Sequence, residues 1–246
     1  MSDRNGPHVI LLRSAGDPDA YLDAFERADF QAVCEPVLSF RFPFQDELAQ
    51  HLADTDRYAH LVATSPRAVR ALRDVLADHP SLHDEWRDRT VFAVGPKTGA
   101  ALDRLALDVR GQETGSADAL VDHIASAVLD GRLLFLSGSR RRDALPQGLR
   151  NRDVPFDEVV VYETHVRTTL SLPAPSAQRW LVFFSPSGLE AVRHASGVEA
   201  SAYRVAAIGP TTAGALESAG LRVDAVASTP GPNPLVAALQ QAVEET

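Results

Sequence analysis

The sequence predicts an α/β fold of two parallel-sheet domains joined by a two-stranded linker, the second domain inserted into the first. Apolar runs typical of buried strands alternate with amphipathic segments typical of helices along the 246 residues. The strand-helix pair at 60–76 and 90–107 has the same layout as the pair at 180–192 and 204–223, which indicates two halves built alike. Four strand-to-helix junctions carry a proline: Ser65-Pro66, Gly95-Pro96, Ser185-Pro186 and Gly209-Pro210.

The first segments favour a parallel sheet. A strand is predicted near 8–13 and a second near 31–34. Between them, an N-cap region is predicted around Asp17-Pro18, followed by an apolar helix face of Tyr21, Leu22, Phe25 and Ala28. A strand, a helix and a strand in this order form the βαβ unit from which parallel sheets are built.

Two extended segments enclose the middle of the chain. The stretch 36–44 and the stretch 158–172 each suit an ordinary edge strand or a crossing between domains. If the two pair, they connect an inserted domain. We therefore expect a discontinuous first domain at 1–36 and 167–246, an inserted second domain at 41–160, and linker strands at 37–40 and 161–166.

Within the inserted segment the alternation of strands and helices continues. Ser116 is a predicted helix cap, and a strand from 132 ends at Ser137-Gly138-Ser139, before a helix that Pro146 should shorten or bend. The stretch 79–86 is predicted to be loop-like, so the i, i+4 pair His79 and His83 should not share a helix face, and we expect no metal site.

Composition excludes several classes of function. The net charge of −9 disfavours nonspecific binding to nucleic acid or to anionic membranes, since both depend on accumulated Lys and Arg. The apolar run near the N-terminus is too short for a signal peptide or a membrane span, so we expect a cytoplasmic protein. The single cysteine, Cys34, lies in a strand-like segment and is predicted to be a buried structural thiol.

The four proline junctions indicate a site for anions. A serine at an N-cap accepts a hydrogen bond from a helix amide, and proline suits the first helical position. In a parallel sheet these junctions lie at the carboxyl edge, where free helix amides favour carboxylates or phosphates. Simple helix capping explains any one junction equally well, whereas their recurrence favours an anion-binding cleft.

Motifs along nearly the whole chain resemble the uroporphyrinogen-III synthase family. FFSPSGLEAV and AIGPTTAGAL match the carboxyl-terminal signature, and VATSPRAV, AVGPKTGAAL, ETGSADALVDHI, LSGSRRRDALPQGL and VVVYETH follow the order of the family. The resemblance implies a cofactor-free, cytoplasmic, monomeric hydro-lyase of tetrapyrrole synthesis that closes hydroxymethylbilane into uroporphyrinogen III with inversion of ring D. It leaves open direct receipt of the substrate from the preceding pathway enzyme.

The resemblance also assigns residues. Tyr162 is the expected catalytic group, hydrogen-bonded to the departing hydroxyl of ring A, although a tyrosine that only shapes the cleft is the alternative. Arg67 and Arg142 should pair with carboxylates, whereas Arg140 and Arg141 are expected to face solvent. The remaining expected substrate contacts are Ser65, Ser137, Gly138, Ser185, Pro186, Ser187, Gly188, Gly209, Pro210 and Thr211.

One turn departs from the family pattern, and two other functions remain open. Gly231 follows Pro230 where the family has a hydroxyl residue, so Thr229 supplies that hydroxyl or Gly231 offers only its amide. A non-enzymatic regulatory relative that binds a tetrapyrrole or another polyanion would fit the same site. An appended DNA-binding region would favour it, and we expect none. A transferase acting on phosphorylated ligands is the second alternative.

Overall fold

A computed structural model of the chain describes residues 8–127, 131–141, 143–176 and 178–245. The chain forms two compact units: unit 1 comprises Met1–Ser39 and His165–Thr246, and unit 2 comprises Phe40–Thr164. Each unit has its own β-sheet, and the sequence of unit 2 is inserted into that of unit 1. The predicted fold class, α/β with two mostly parallel sheets, is confirmed.

The described elements alternate in the way the sequence predicts. The strands are β1 (His8–Leu12), β2 (Gln31–Cys34), β3 (Leu38–Arg41), β4 (Tyr58–Ala63), β5 (Thr90–Ala93), β6 (Asp108–Arg110), β7 (Arg132–Gly138), β8 (Phe156–Val166), β9 (Arg179–Phe183), β10 (Arg204–Ala207) and β11 (Ala225–Val226). The helices are α1 (Ala20–Arg27), α2 (Gln45–Ala53), α3 (Pro66–Asp78), α4 (Pro80–Trp86), α5 (Pro96–Asp103), α6 (Ala117–Ser126), α7 (Ala144–Asn151), α8 (Pro186–His194), α9 (Pro210–Ser218) and α10 (Pro232–Glu244), with a 3-10 turn at Ala200–Ala202.

Unit 1 is built on a five-stranded sheet in the order β11-β10-β9-β1-β2. Its pairings are all parallel, and Phe183 at the end of β9 lies opposite Leu12 of β1 and Ala207 of β10. The carboxyl ends of these three strands therefore share one edge, and the chain leaves that edge towards α8 and α9.

Unit 2 contains a six-stranded sheet in the order β3-β8-β7-β4-β5-β6. The pairings among β4 to β8 are parallel, and Ala63 at the end of β4 lies opposite Leu136 of β7 and Ala93 of β5. The register shifts between Ser137 and Gly138, so that Gly138 pairs with Tyr162. Such irregularities re-aim side chains and are frequent beside functional sites.

Both faces of each sheet are covered, which explains the continuous apolar strands. In β7, Leu134 and Leu136 enter one core cluster of unit 2, while Leu133 and Phe135 enter the other. In β9, Trp180 and Leu181 likewise belong to opposite faces of the unit 1 sheet. Strands buried on both sides have no polar alternation because neither face meets water.

One local prediction is wrong. The stretch predicted to be loop-like is helix α4, in which Leu82 and Trp86 are buried and the Trp86 indole donates to the Leu52 carbonyl at 2.9 Å. Pro80 does not break this helix, because it occupies the first turn, where an amide has no intrahelical partner. His83 lies in α4, and its Nε2 is 2.8 Å from the Leu105 carbonyl oxygen.

Two helix starts also differ from expectation. Helix α1 is capped by Asp19 rather than at Asp17-Pro18, because the Asp19 carboxylate accepts from the amides of Tyr21 and Leu22. Pro146 falls in the first turn of α7, where its missing N–H costs nothing. Within the described residues, no helix combines the length and apolar character needed to cross a membrane.

Candidate active site

The proline junctions form helix starts as predicted. Pro66, Pro96, Pro186 and Pro210 each stand in the first turn of a helix, after the caps Ser65, Gly95, Ser185 and Gly209. Gly95 has φ 78°, a left-handed conformation that glycine adopts readily. A fifth junction of this kind begins α10, with Gly231 as its cap and Thr229 exposed in the preceding turn.

Ser65 makes two hydrogen bonds with one hydroxyl. Its Oγ accepts from the Ala68 amide at 3.2 Å, which caps helix α3. The same hydroxyl donates to the Tyr162 hydroxyl oxygen at 3.2 Å. With Ser65 as the donor, the phenol proton is available to a third group. The two residues belong to unit 2 and are brought together because β4 and β8 both flank β7.

Tyr162 is nearly buried, with 7% of its surface exposed. Its ring lies against the backbone of Gly138, and a Cβ built on that glycine would be only 2.3 Å from Tyr162 Cζ. No real side chain fits at this distance, so Gly138 permits the observed position of the phenol. The backbone hydrogen bonds between β7 and β8 continue beyond Gly138, because the Ser139 amide donates to the Tyr162 carbonyl at 3.0 Å.

Two phenylalanines, one in β3 and one directly after it, complete the surroundings of Tyr162. The ring centroids of Phe40 and Phe42 lie 6.3 Å and 6.2 Å from the Tyr162 centroid. The Arg67 guanidinium carbon lies 3.7 Å from the Phe40 centroid, a cation–π distance. Arg67 was predicted to meet a carboxylate, and the structure places it in this aromatic stack on the exposed surface of α3.

A cavity of about 500 Å³ in unit 2 is lined by Tyr162, Ser65, Gly138, Arg140 and Arg141. The Arg141 guanidinium pairs with the Asp143 and Glu158 carboxylates, and its Nη2 lies 2.9 Å from Glu158 Oε2. Burial raises the pKa of Glu158, but hydrogen bonds from Arg141 and Ser137 and the charges of nearby arginines together outweigh it and hold the pKa below its ordinary value. Arg141 is exposed, as expected, and these ion pairs hold it beside the cavity.

The predicted contact Ser137 does not join this cluster. Ser137 is 1% exposed, and its hydroxyl donates to the Val159 carbonyl at 3.4 Å, so its side chain is used within the sheet. Arg142 lies outside the residues that the structure describes. The roles of both in substrate binding stay predictions.

The unit 1 residues gather at the ends of β9 and β10. Ser185 has no side-chain bond to a helix amide, contrary to the capping prediction, and its hydroxyl donates to Ser187 Oγ at 3.3 Å. Gly188 is buried, and a Cβ there would lie 3.2 Å from the Phe183 ring. Pro210 and Thr211 are exposed at the start of α9, beside the cap Gly209.

The sequence reasoning missed a charged pair at the same edge of unit 1. Arg13 follows β1 directly, and its Nη1 lies 2.9 Å from both carboxylate oxygens of Asp19. The guanidinium also lies over the rings of Tyr21 and Phe184, 4.9 Å and 5.4 Å from their centroids. An arginine at a strand end with an acidic cap six residues later was the available signal.

Comparison with known proteins decides the family. The model of the family "Uroporphyrinogen-III synthase HemD" matches residues 19–237. The chain belongs to the uroporphyrinogen-III synthase family. The matched range includes every predicted site residue, from Ser65 to Thr229.

Characterised relatives extend over the full length. The uroporphyrinogen-III synthase of Saccharomyces cerevisiae is 29% identical, with 98% of each chain covered. Those of Schizosaccharomyces pombe and Chlorobaculum parvum are each 27% identical, covering 96% and 89% of this chain and 98% and 92% of theirs. The chain functions as a uroporphyrinogen-III synthase, a hydro-lyase of tetrapyrrole biosynthesis, and the family implies hydroxymethylbilane as substrate. The enzyme prediction is confirmed.

Solved structures of uroporphyrinogen-III synthases share the fold. The Helicobacter pylori enzyme aligns with a TM-score of 0.63 at 19% identity, covering 98% of this chain and all of the other. A mutant form of the Thermus thermophilus enzyme aligns with a TM-score of 0.53 at 17% identity, with coverage of 98% and 100%. At these identities the likeness supports the two-sheet α/β architecture alone.

Proposed function

We propose that Tyr162 protonates the departing hydroxyl of hydroxymethylbilane during ring closure. The observation that carries this proposal is the chain of donors from the Ala68 amide to Ser65 and from Ser65 to the Tyr162 oxygen. Since Tyr162 accepts from Ser65, its own O–H is available to a group in the adjoining cavity. A positioned phenol of this kind is a recognised general acid.

The reaction balances without a cofactor. Tyr162 gives its proton to the hydroxyl on ring A, which leaves as water, and the pyrrole supplies the electrons that displace it. Ring D then attacks the methylene of ring A through its substituted carbon to form a spiro intermediate. The bond from that carbon to the methylene of ring C breaks and re-forms at the free α-carbon of ring D, which loses its proton, so that the pyrrole is inverted. The proton released when the macrocycle closes returns to the phenolate, so that one water is lost overall and Tyr162 ends protonated.

Positioning supplies the other part of catalysis in this proposal. Holding ring D over ring A selects the spiro route over direct closure, and correct orientation of reacting groups removes much of an activation barrier. The substrate carries eight carboxylates, which is the ligand chemistry suited to helix amides and to arginine. Because the net charge is −9, these carboxylates need local donors.

We assign the carboxylate contacts to the residues that the sequence indicates. In unit 2, Arg67 contributes its guanidinium edges, Ser65 and Gly138 their backbone, and Ser137 and Arg142 remain proposed contacts. In unit 1 the proposed contacts are Ser185, Pro186, Ser187, Gly188, Gly209, Pro210, Thr211 and Thr229. The helix starts at α8 and α9 support this assignment, since the first amides of a helix have no intrahelical acceptor.

Isomer analysis tests the proposed reaction. Purified protein mixed with hydroxymethylbilane should yield uroporphyrinogen III, resolved chromatographically from uroporphyrinogen I. Formation of the I isomer alone, at the rate seen without protein, would contradict the reaction.

The carboxylate contact of Arg67 has a separate test. Arg67→Ala should weaken product binding by about 1–3 kcal/mol, as expected for a hydrogen bond to a charged group. Arg73→Ala is the matched control, because Arg73 lies on the same helix and pairs with Asp74. Equal product affinity in the two variants would remove the Arg67 side chain from the site.

The remaining assignments concern organisation. We propose a cytoplasmic monomer, with domains at 1–36 plus 167–246 and at 41–160, and linkers at 37–40 and 161–166. Light scattering that gives the mass of one chain would support the monomer, and a mass of two chains would overturn it. Proteolysis that cuts first within 37–40 or 161–166 would support the linkers, whereas first cleavage inside 41–160 would contradict them.

A further inference from the structure

Tyr162 lies within an ordered aromatic array. Phe40 meets its ring edge-on, with 67° between the ring planes, and Phe42 lies tilted at 41°. Phe40 lies in β3 and Phe42 is the first residue after that strand, and the Tyr162 ring neighbours both. Because β3 is next to β8 in the sheet, β3 and the residue that follows it bring both rings to Tyr162.

Two arginines of α3 form the outer layer of the array. Arg67 lies over Phe40 at 3.7 Å, and Arg70 lies over Phe42 at 4.6 Å from guanidinium carbon to ring centroid. Residues three apart on a helix lie on the same side, so one helix face covers both rings. The same helix carries Ser65 at its N-cap, so α3 sets both the hydrogen bond to Tyr162 and the packing around its ring.

We propose that Phe40 and Phe42 are positioning residues for the Tyr162 hydroxyl in the reaction. Ser65 provides a single hydrogen bond, which leaves the Tyr162 side chain free to tilt about its χ1 bond while that bond is kept. The two phenylalanine rings and the Gly138 backbone limit this tilt, so the phenol is held for proton donation. The inference rests on the proposed role of Tyr162 as the proton donor.

A purely structural role is the competing explanation. Phe40 and Phe42 are partly buried and pack against the core cluster of unit 2, so their loss lowers stability whatever Tyr162 does. The two explanations differ in one respect. A positioning residue acts through Tyr162, and its effect on turnover should therefore disappear once the hydroxyl is gone.

A double-mutant cycle on the full chain separates the explanations. Phe40→Leu and Phe42→Leu should each lower kcat by about tenfold, since misplacement of a catalytic group costs up to about a hundredfold. KM and product affinity should change by less than about twofold, because the contacts that bind substrate and transition state equally are retained. Combined with Tyr162→Phe, either substitution should produce little additional loss of kcat.

Two further variants keep the cycle interpretable. Phe156→Leu removes a ring at the opposite end of β8, over which the Arg150 guanidinium lies 5.5 Å from the ring centroid, and should leave kcat unchanged. Phe40→Tyr keeps the ring and should restore most of the turnover lost in Phe40→Leu. If the leucine variants fail to fold, Phe40→Met, which keeps a similar apolar volume, replaces them in the cycle.

The outcomes are distinct. Loss of kcat by Phe40→Leu to the same extent with and without the Tyr162 hydroxyl would overturn the positioning role, as would unchanged turnover in both leucine variants. Failure of the proposed function is recognised separately, because Tyr162→Phe alone would then leave kcat unchanged. A kcat loss confined to the chain that retains the Tyr162 hydroxyl is the result that supports the inference.

Discussion

The Ser65 hydroxyl stands 3.2 Å from the Tyr162 hydroxyl oxygen, and the bond joins a helix cap to a strand distant in sequence. The Ala68 amide occupies one of the two acceptor sites of the serine oxygen and leaves the serine proton available to Tyr162. A local folding signal thereby orients a chemical group. The start of helix α3 and the proposed general acid Tyr162 are therefore coupled through Ser65. Substitutions of Ser65 should affect both stability and turnover.

Ser65→Ala should lower the free energy of unfolding by about 1 kcal/mol, because the N-cap bond of α3 is lost. It should also reduce kcat, since the Tyr162 hydroxyl loses its donor. Ser65→Thr retains a hydroxyl for both bonds and is the matched variant, expected to keep most of the activity. Chemical denaturation and initial rates measure the two effects. Full turnover in Ser65→Ala, with only the stability lost, would show that the bond is structural.

Gly138→Ala should disturb the site by steric overlap. The new methyl group would meet the Tyr162 ring at about 2.3 Å, so the ring must shift. Overpacking of this kind costs about 1–3 kcal/mol of stability, and the displaced phenol should lower kcat as well.

Gly214→Ala is the control for Gly138→Ala. Gly214 lies within α9, and a Cβ there meets nothing within 4 Å. Alanine should match glycine at this position or add up to about 1 kcal/mol of stability. Wild-type turnover in Gly138→Ala would mean that the phenol position tolerates the shift and is not critical.

Asp19 predicts a pH dependence of stability in unit 1. Burial raises the pKa of this carboxyl, but hydrogen bonds from the Gly16 amide and the Arg13 guanidinium outweigh it and hold the pKa below the ordinary value of 3.8. A carboxyl with a lowered folded pKa stabilises the fold above its unfolded pKa, and this contribution is lost as the pH falls through the folded pKa. The contribution should therefore be complete at neutral pH and disappear below pH 3.8.

Asp19→Asn tests this expectation. At pH 7 the free energy of unfolding of the variant should be about 1–3 kcal/mol lower than that of the wild type, because the variant loses hydrogen bonds to a charged group. The difference should shrink as the pH is lowered through the acid range. Asp23→Asn, an exposed change in the same helix, should alter stability by less than about 0.5 kcal/mol. If the difference in the free energy of unfolding between the wild type and Asp19→Asn stays constant with pH, this expectation is contradicted.

Local signals predicted much of the fold. The strand at 31–34 is observed at the predicted residues, and all four proline junctions begin helices, because hydrophobic periodicity and caps act over a few residues. Pro80 was misread because a proline that breaks a helix and one that begins it look alike in sequence. Asp19 was missed because Asp17 and Asp19 are equivalent cap candidates until Arg13 and Gly16 select one.

The environment of the site was less accessible to prediction. Tyr162 and Gly138 were identified as site residues through the resemblance, but their mutual contact depends on the register shift between β7 and β8. The approach of Phe40 depends on strand order, which brings β3 beside β8 from far along the chain. Periodicity within a segment contains no information about which distant strand becomes its neighbour.

Turnover of Tyr162→Phe is the measurement that tests the central claim most directly. The substitution removes one oxygen and keeps the ring that packs on Gly138, so the fold and product affinity should be preserved. With saturating hydroxymethylbilane, kcat for uroporphyrinogen III should fall by about a hundredfold, the lower range for loss of a general acid. A kcat equal to that of the wild type, in a variant with normal thermal unfolding, would contradict proton donation by Tyr162.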